Sequence, residues 1–284
     1  MPVTRVVHTK AVRFVRKMRG GTQAHLLKTD DGDFYVIKFL ENPQGKRILV
    51  NEWLTSHIFR HLGIATPAIS VVEISAEFLK ASPQVYIQSP HGKLSVAPGS
   101  HFGSRFPGDP DRLAVYDLLP SALLGKVANR SHFLGAFMLD RWMANTDSRQ
   151  AIFHHTTQGS LTVPETSSRP PGSYLAEMVD FSRMFDGQHW EFIEYAAQGV
   201  YRDVKVYSGF SATDLEQWTE AMSSFPAPLI WETAAAIPTE WRETDGDPLE
   251  RLLDKLLKRR GRVADIAWST MRSAMTHPSG RPAC

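Results

Sequence analysis

The sequence predicts an α+β protein in two lobes: an N-terminal antiparallel β-sheet lobe with one helix over residues 1–100, and a mainly helical C-terminal lobe over residues 101–284. Three observations predict it. Apolar and polar residues alternate from Thr4 to Phe39, the period-two signature of half-buried strands. The stretch Ser89–Asp111 contains eight glycines and prolines, a composition shift that marks a connector. Beyond it, Leu113–Leu124, Ser131–Met143, Thr213–Met222 and Pro248–Lys258 read as helices, the second opening on a serine cap.

Within the N-terminal part, Val12-Arg13-Phe14-Val15 leads into the turn Gly20-Gly21, and Ala24-His25-Leu26-Leu27 follows it. Asp31-Gly32 is a strong hairpin turn before Phe34-Tyr35-Val36-Ile37-Lys38-Phe39, so the segment is a meander. Ile48, Leu49, Trp53, Leu54, Ile58 and Leu62 then recur near the 3.6 period, and Gly63 stops that helix. β-Branched residues from Ile69 to Ile74, then Val85-Tyr86-Ile87, return the pattern to strands. Further on, Ala151-Ile152-Phe153 and Tyr174–Val179 are short apolar runs separated by the Thr-, Ser-, Pro- and Gly-rich segment Thr156–Gly172, which predicts a hairpin with a long tip.

Composition excludes several functions. With 32 basic against 30 acidic side chains the formal charge is +2, which gives no strong signal for nucleic acid or a membrane surface. Cys284 is the only cysteine, so neither an internal disulfide nor a thiolate zinc site forms, which suits a reducing cytoplasm. Charges recur through the first twenty residues, unlike a signal peptide, and no apolar run approaches the roughly 20 residues that span a bilayer. His154 and His155 are adjacent and point to opposite faces of a strand, which disfavours a shared metal. The basic run Lys255–Arg262 reads as a solvated helix face.

The chemistry lies in acids, an amide and a lysine. Asp147 follows Asn145-Thr146 at the end of a helix whose apolar residues would hold it in place, and it could accept a hydroxyl proton. Asp140, earlier in that helix, reads as a buried partner of Arg141 or Arg149. Asp180 ends an apolar run and precedes Phe181-Ser182, close to the metal-binding Asp-Phe-Gly of kinases with serine in place of glycine. Lys38 sits mid-strand among residues that want burial and needs an anionic partner, for which Glu52, fourteen residues on, is suited. Gly20, Gly21, Thr22 and Gln23 form a turn whose backbone N–H groups could meet a triphosphate. Glycine turn, strand lysine, helix glutamate, hinge, Asn-Thr-Asp, apolar hairpin and Val-Asp-Phe follow one another in an order that chance rarely produces, and the strand lysine and helix glutamate resemble the pair by which protein kinases hold phosphates.

These runs resemble the HipA-like kinase domain family. The resemblance rests on Arg19–Leu26, Tyr35–Phe39, Asn42-Pro43-Gln44, Asn51-Glu52, Leu62-Gly63-Ile64, Asp140-Arg141-Trp142, Asn145-Thr146-Asp147, Val179-Asp180-Phe181 and Ile237–Trp241, from about Val12 to Arg260. Asn-Thr-Asp is also similar to type II phosphatidylinositol kinases, distant relatives. The resemblance implies a bilobal protein-kinase-like fold using ATP and Mg²⁺, with Lys38 on phosphate, Asp147 as base and Asp180 on metal. The family's asparagine metal ligand lies five residues after the base, where this chain has Ile152; Gln150 is the nearest amide to substitute for it. The implied activity is transfer to a protein Ser/Thr hydroxyl, the kinase's own included, with a toxin-type role requiring an antitoxin or regulatory partner. Two alternatives share the fold: a lipid or small-molecule kinase, and a nucleotide-binding pseudokinase, for which Ile152 is the motive.

Overall fold

The computed structural model describes residues 6–155, 172–194, 198–242 and 248–265. The N-terminal alternation forms the expected meander of β1 (His8–Lys17), β2 (His25–Thr29) and β3 (Phe34–Lys38), paired antiparallel in order. In the β2–β3 turn Gly32 takes φ +88°, and Asp31 accepts from the Thr29 hydroxyl and the Asp33 amide. Helix α1 (Arg47–His61) ends where Gly63 takes φ +73°, the left-handed conformation that glycine adopts without a Cβ clash.

The stretch Ser89–Asp111, which reads as a connector, is instead built into the sheet. After β4 (Ile69–Ile74), a short α2 (Ala76–Ala81) and the hairpin β5 (Tyr86–Ser89) and β6 (Gly92–Ser95), β7 (Gly99–Arg105) inserts between β3 and β4. The sheet closes as a barrel in the order β1-β2-β3-β7-β4. It is not purely antiparallel, because β1 and β4 pair in parallel across His8–Lys10. The glycines that mimic a linker have a packing cause: a Cβ on Gly103 would lie 2.6 Å from the Val72 side chain.

The expected helix at Leu113–Leu124 is also absent. Pro120 interrupts it, leaving β8 (Val115–Tyr116) and a 3₁₀ turn over Ser121–Lys126. Helix α3 (His132–Trp142) forms as expected, but Ser131 has helical dihedrals and makes no capping bond. The hairpin β9 (Gln150–His155) and β10 (Tyr174–Val179) pairs along its length, with its tip, residues 156–171, outside the described residues. Helix α4 (Ala212–Ser223) has a Ser211–Asp214 capping box, and α6 is Pro248–Arg260. Helix α5 (Ala227–Ala235) goes unread in the sequence because Pro226 and Pro228 look like loop residues, whereas proline is tolerated in a first turn.

Helix α1 is buried on nearly every side and shares one core with α3, the β9–β10 hairpin, α5 and α6, while Tyr35, Ile37, Phe39, Val72 and Ile74 fill the barrel. The indoles of Trp53, Trp142 and Trp241 are fully enclosed and donate to the carbonyls of Thr233, Leu256 and Ser100 at 3.0, 2.9 and 2.8 Å. The basic run of α6 is not a free solvated face: Lys255 bonds the Trp190 carbonyl and Arg259 those of Trp142 and Arg141. Burial pushes the imidazoles of His57 and His132 down to about 4, and His132 Nδ1 accepts the Ala65 amide at 2.9 Å, a bond that a ring proton would break. The unfolded chain binds these protons near pH 6.5, so stability is expected to fall as pH drops from about 6.5 to about 4, by about 2–3 kcal/mol per histidine. Urea titrations at successive pH values check this, and a flat profile across that window refutes it.

Candidate active site

Three distant segments meet at Lys38. Its strand is enclosed on both faces, its Nζ donates to Glu52 Oε1 on α1, and at 2.9 Å it also donates to Asp180 Oδ1, 142 residues away in sequence. Glu52 Oε1 additionally accepts the Phe181 amide at 2.9 Å, which ties α1 to the end of β10. Asp180 holds a left-handed φ of +59°, and its Oδ1 takes the Ser182 hydroxyl at 2.7 Å. Phe181 is anchored by the Phe59 ring at 4.7 Å and the Arg149 guanidinium at 4.9 Å.

Burial opposes charge on all three groups, and their mutual attraction overrides it for two. Desolvation alone would lower the Lys38 ammonium, but Asp180 and Glu52 hold it above the usual lysine range. Desolvation would likewise raise Asp180, but the Lys38 ammonium, the Ser182 hydroxyl and Arg149 hold its carboxyl far below the usual range. Burial pushes Glu52 up, against the pull of Lys38. The net result is an ammonium and an ionised Asp180 side by side at neutral pH.

Asp147 lies on the surface just past α3, and a buried polar network fixes the loop that carries it. Asp140 Oδ1 accepts Asn145 Nδ2 at 3.0 Å and Arg149 Nη1 at 3.2 Å, and Asn145 Oδ1 takes the Asp147 amide at 3.0 Å. Of the two arginines that the sequence offers Asp140, the structure selects Arg149. Arg149 Nη2 also donates to the carbonyls of Val179 and Asp180 at 2.8 and 2.7 Å, so one guanidinium locks the Asp147 loop to the Asp180 strand end. Burial raises the Asp140 carboxyl to about 7 despite Arg149 and Asn145. Gly199 packs directly on this network: it has φ +68°, and a Cβ there would lie 2.1 Å from Asp140 Cβ. Gly199→Ala is therefore expected to cost about 2–5 kcal/mol through backbone strain and overpacking, measured by denaturant unfolding.

The remaining expected residues divide. Gln150 Nε2 donates to Asp147 Oδ2 at 3.3 Å, and Gln150 pairs with Val179 across the hairpin, so the amide sits at the hairpin end that carries Asp180. Ile152 faces the same side of β9, half-buried and without donor or acceptor atoms in its side chain. In the glycine turn, the amides of Gly21 and Thr22 donate to no acceptor among the described residues. Gln23 is a correction: its amide bonds the Gly20 carbonyl, and its side chain exchanges two 2.7 Å hydrogen bonds with the Gln88 backbone. It pins the β5–β6 hairpin, so its backbone amide and most of its side-chain capacity are already committed.

Sequence reasoning misses Asn51, although it stands beside Glu52. Its side-chain amide, fully buried, donates to the carbonyls of Ser182, Met184 and Gly187 at 3.0, 3.0 and 2.8 Å, and its oxygen accepts the Trp190 indole at 2.8 Å. The sequence carries Asn51 only as the neighbour of Glu52 in the runs that resemble the family, with no role attached. These bonds hold a loop in which Phe185, Asp186, Trp190 and Phe192 all have positive φ. A cavity of about 650 Å³ lies against that loop, lined by Thr146, Arg183, Asp186, His189, Glu191 and Ile193. It adjoins Asp147 through Thr146 and does not include Lys38.

The family profile described as HipA-like kinase matches residues 11–269, nearly the whole chain. The chain belongs to the HipA-like kinase family. Among curated proteins none matches it. Among solved structures, this HipA-like kinase is similar to a hydra Fam20 determined with a sugar, at TM-score 0.51 and 10% identity over 93% of this chain and 86% of that one. It is also similar to the Golgi casein kinase, at TM-score 0.50 and 12% identity over 93% of this chain and 74% of that one. Identities this low establish a kinase-like fold and nothing finer. No helix among the described residues is long and apolar enough to cross a membrane.

Proposed function

We propose that this HipA-like kinase transfers the γ-phosphoryl group of ATP, with Mg²⁺, to a serine or threonine hydroxyl on a protein, its own chain included, in a bilobal arrangement with nucleotide held by the barrel lobe. One observation carries it: the Lys38 ammonium bridges Glu52 and Asp180, residues from three separate segments, at the place where a triphosphate would need a cation and a metal-binding oxygen. The residues fit the absent groups. Asp180 Oδ2 forms no hydrogen bond among the described residues, which leaves a hard oxygen for a divalent cation. Lys38 has three donors, of which two are engaged.

When bound, Mg²⁺ would neutralise charge on the transferring phosphate, held by Asp180 with Gln150 as the nearest amide. Lys38 would direct its remaining N–H at phosphate oxygens, and the Gly21 and Thr22 amides would add neutral donors. Asp147, oriented by the Ser148 amide at 2.7 Å and by Gln150, would accept the proton of the attacking hydroxyl. Arg149 would hold base and metal ligand at a constant separation, since positioning supplies much of the rate in such transfers. Incubation with labelled ATP and magnesium, followed by mass spectrometry, tests the proposal: phosphoserine or phosphothreonine is expected, and nucleotide binding without any transfer would favour the pseudokinase alternative that Ile152 motivates.

A further inference from the structure

Asp186 lines the cavity of about 650 Å³ and is only 9% exposed. Among the described residues its carboxylate accepts no hydrogen bond and meets no cation within ion-pair distance. Its oxygens stay open to the cavity while the rest of the residue is packed, so they offer an unshared acceptor to a group that docks there. The backbone holds the carboxylate in that position. Phe185 and Asp186 are both left-handed, their amides donate to the Met143 and Ala144 carbonyls at 2.7 and 3.2 Å, and Asn51 clamps the loop on both sides.

The other charges at the cavity lack this property. Arg183 and His189 are exposed, so water solvates them, and Glu191 is engaged by Lys255 at 2.8 Å. Ile193, 46% exposed, adds an apolar wall. Thr146 lines the same cavity and immediately precedes Asp147, so a group docked here lies beside the proposed base.

We infer that this cavity is the acceptor subsite and that Asp186 binds a lysine or arginine side chain adjacent to the hydroxyl that receives phosphate. The inference deepens the phosphotransferase assignment and rests on it, because it takes Asp147 as the place where the hydroxyl docks. A cationic acceptor supplies what Asp186 lacks, a charge-assisted partner in a partly desolvated site. The competing explanation is that aspartate is present only because it tolerates left-handed backbone. Asparagine tolerates that backbone equally well, so Asp186→Asn removes the charge and keeps the conformation.

The experiment is calorimetric binding, to the full chain, of three serine peptides identical except for one neighbour of the serine: arginine, glutamine or glutamate. Wild type is expected to bind the arginine peptide about tenfold more tightly than the glutamine peptide, equivalent to about 1.4 kcal/mol. Asp186→Asn is expected to erase that preference, whereas Arg183→Gln retains it. Equal affinities in wild type, no binding of the arginine peptide, or a preference that survives Asp186→Asn would each overturn the inference. Phosphate transfer from ATP to the same peptides separates the two claims. Absent transfer with an intact arginine preference strikes the phosphotransferase assignment, and transfer without the preference strikes only the acceptor site.

Discussion

Asp147→Asn is expected to slow phosphate transfer by about 10²–10⁴-fold, the range over which a positioned general base contributes. The physical basis is local. Asp147 is exposed, its Oδ1 accepts the Ser148 amide at 2.7 Å and its Oδ2 accepts Gln150 Nε2 at 3.3 Å, so both oxygens are oriented while the carboxylate stays open to an incoming hydroxyl. An asparagine keeps the Ser148 contact, loses the capacity to take a proton, and gives up only the long, exposed bond from Gln150. Stability should therefore change by no more than about 0.5 kcal/mol. ATP affinity should hold as well, because Lys38 and Asp180 are untouched. Turnover equal to wild type, measured by incorporation of labelled phosphate, would remove Asp147 from the role of base.

Arg149→Met should be the most damaging single change to the fold around the site. The Arg149 side chain is fully buried, as is that of its partner Asp140, and its guanidinium is the cation hydrogen-bonded to that carboxylate, with Arg141 adding a weaker attraction. Removing one member of a buried ion pair typically costs about 3–5 kcal/mol, because the other charge is left enclosed without compensation. Part of that cost is softened here, since burial already raises the Asp140 carboxyl to about 7 and it can become neutral by taking up a proton. The carbonyls of Val179 and Asp180 lose their donors as well. A loss of less than about 1 kcal/mol in denaturant unfolding would show that the network does not hold these segments. Transfer activity should fall together with stability, because this side chain reinforces the hairpin and loop bonds that join the Asp147 loop to the Asp180 strand end.

Much of the site is legible in the sequence because its members sit in segments with strong local character. Lys38 is conspicuous in an otherwise apolar strand, Asp180 ends an apolar run, and Asp147 follows a helix whose face wants burial. Each is a polar residue where local pattern expects none, and that is a signal a single chain can carry. Gln23 is misplaced for the opposite reason: a glycine-rich turn shows that backbone is accessible but not which neighbour occupies it, and the Gln88 backbone does.

Local sequence determined the meander, α1, α3, α4, α6 and the β9–β10 hairpin, because alternation, helical spacing and the Asp31-Gly32 turn act between residues near in the chain. Only tertiary structure decided that the glycine-rich Ser89–Asp111 stretch supplies a barrel strand, since the need for glycine at 103 comes from Val72 on a neighbouring strand. It alone decided, too, that Arg149 rather than Arg141 partners Asp140, and that Asn51 holds the loop beyond Asp180. Those choices depend on which distant side chains share one buried volume, where a polar atom must find a partner or bear its desolvation cost.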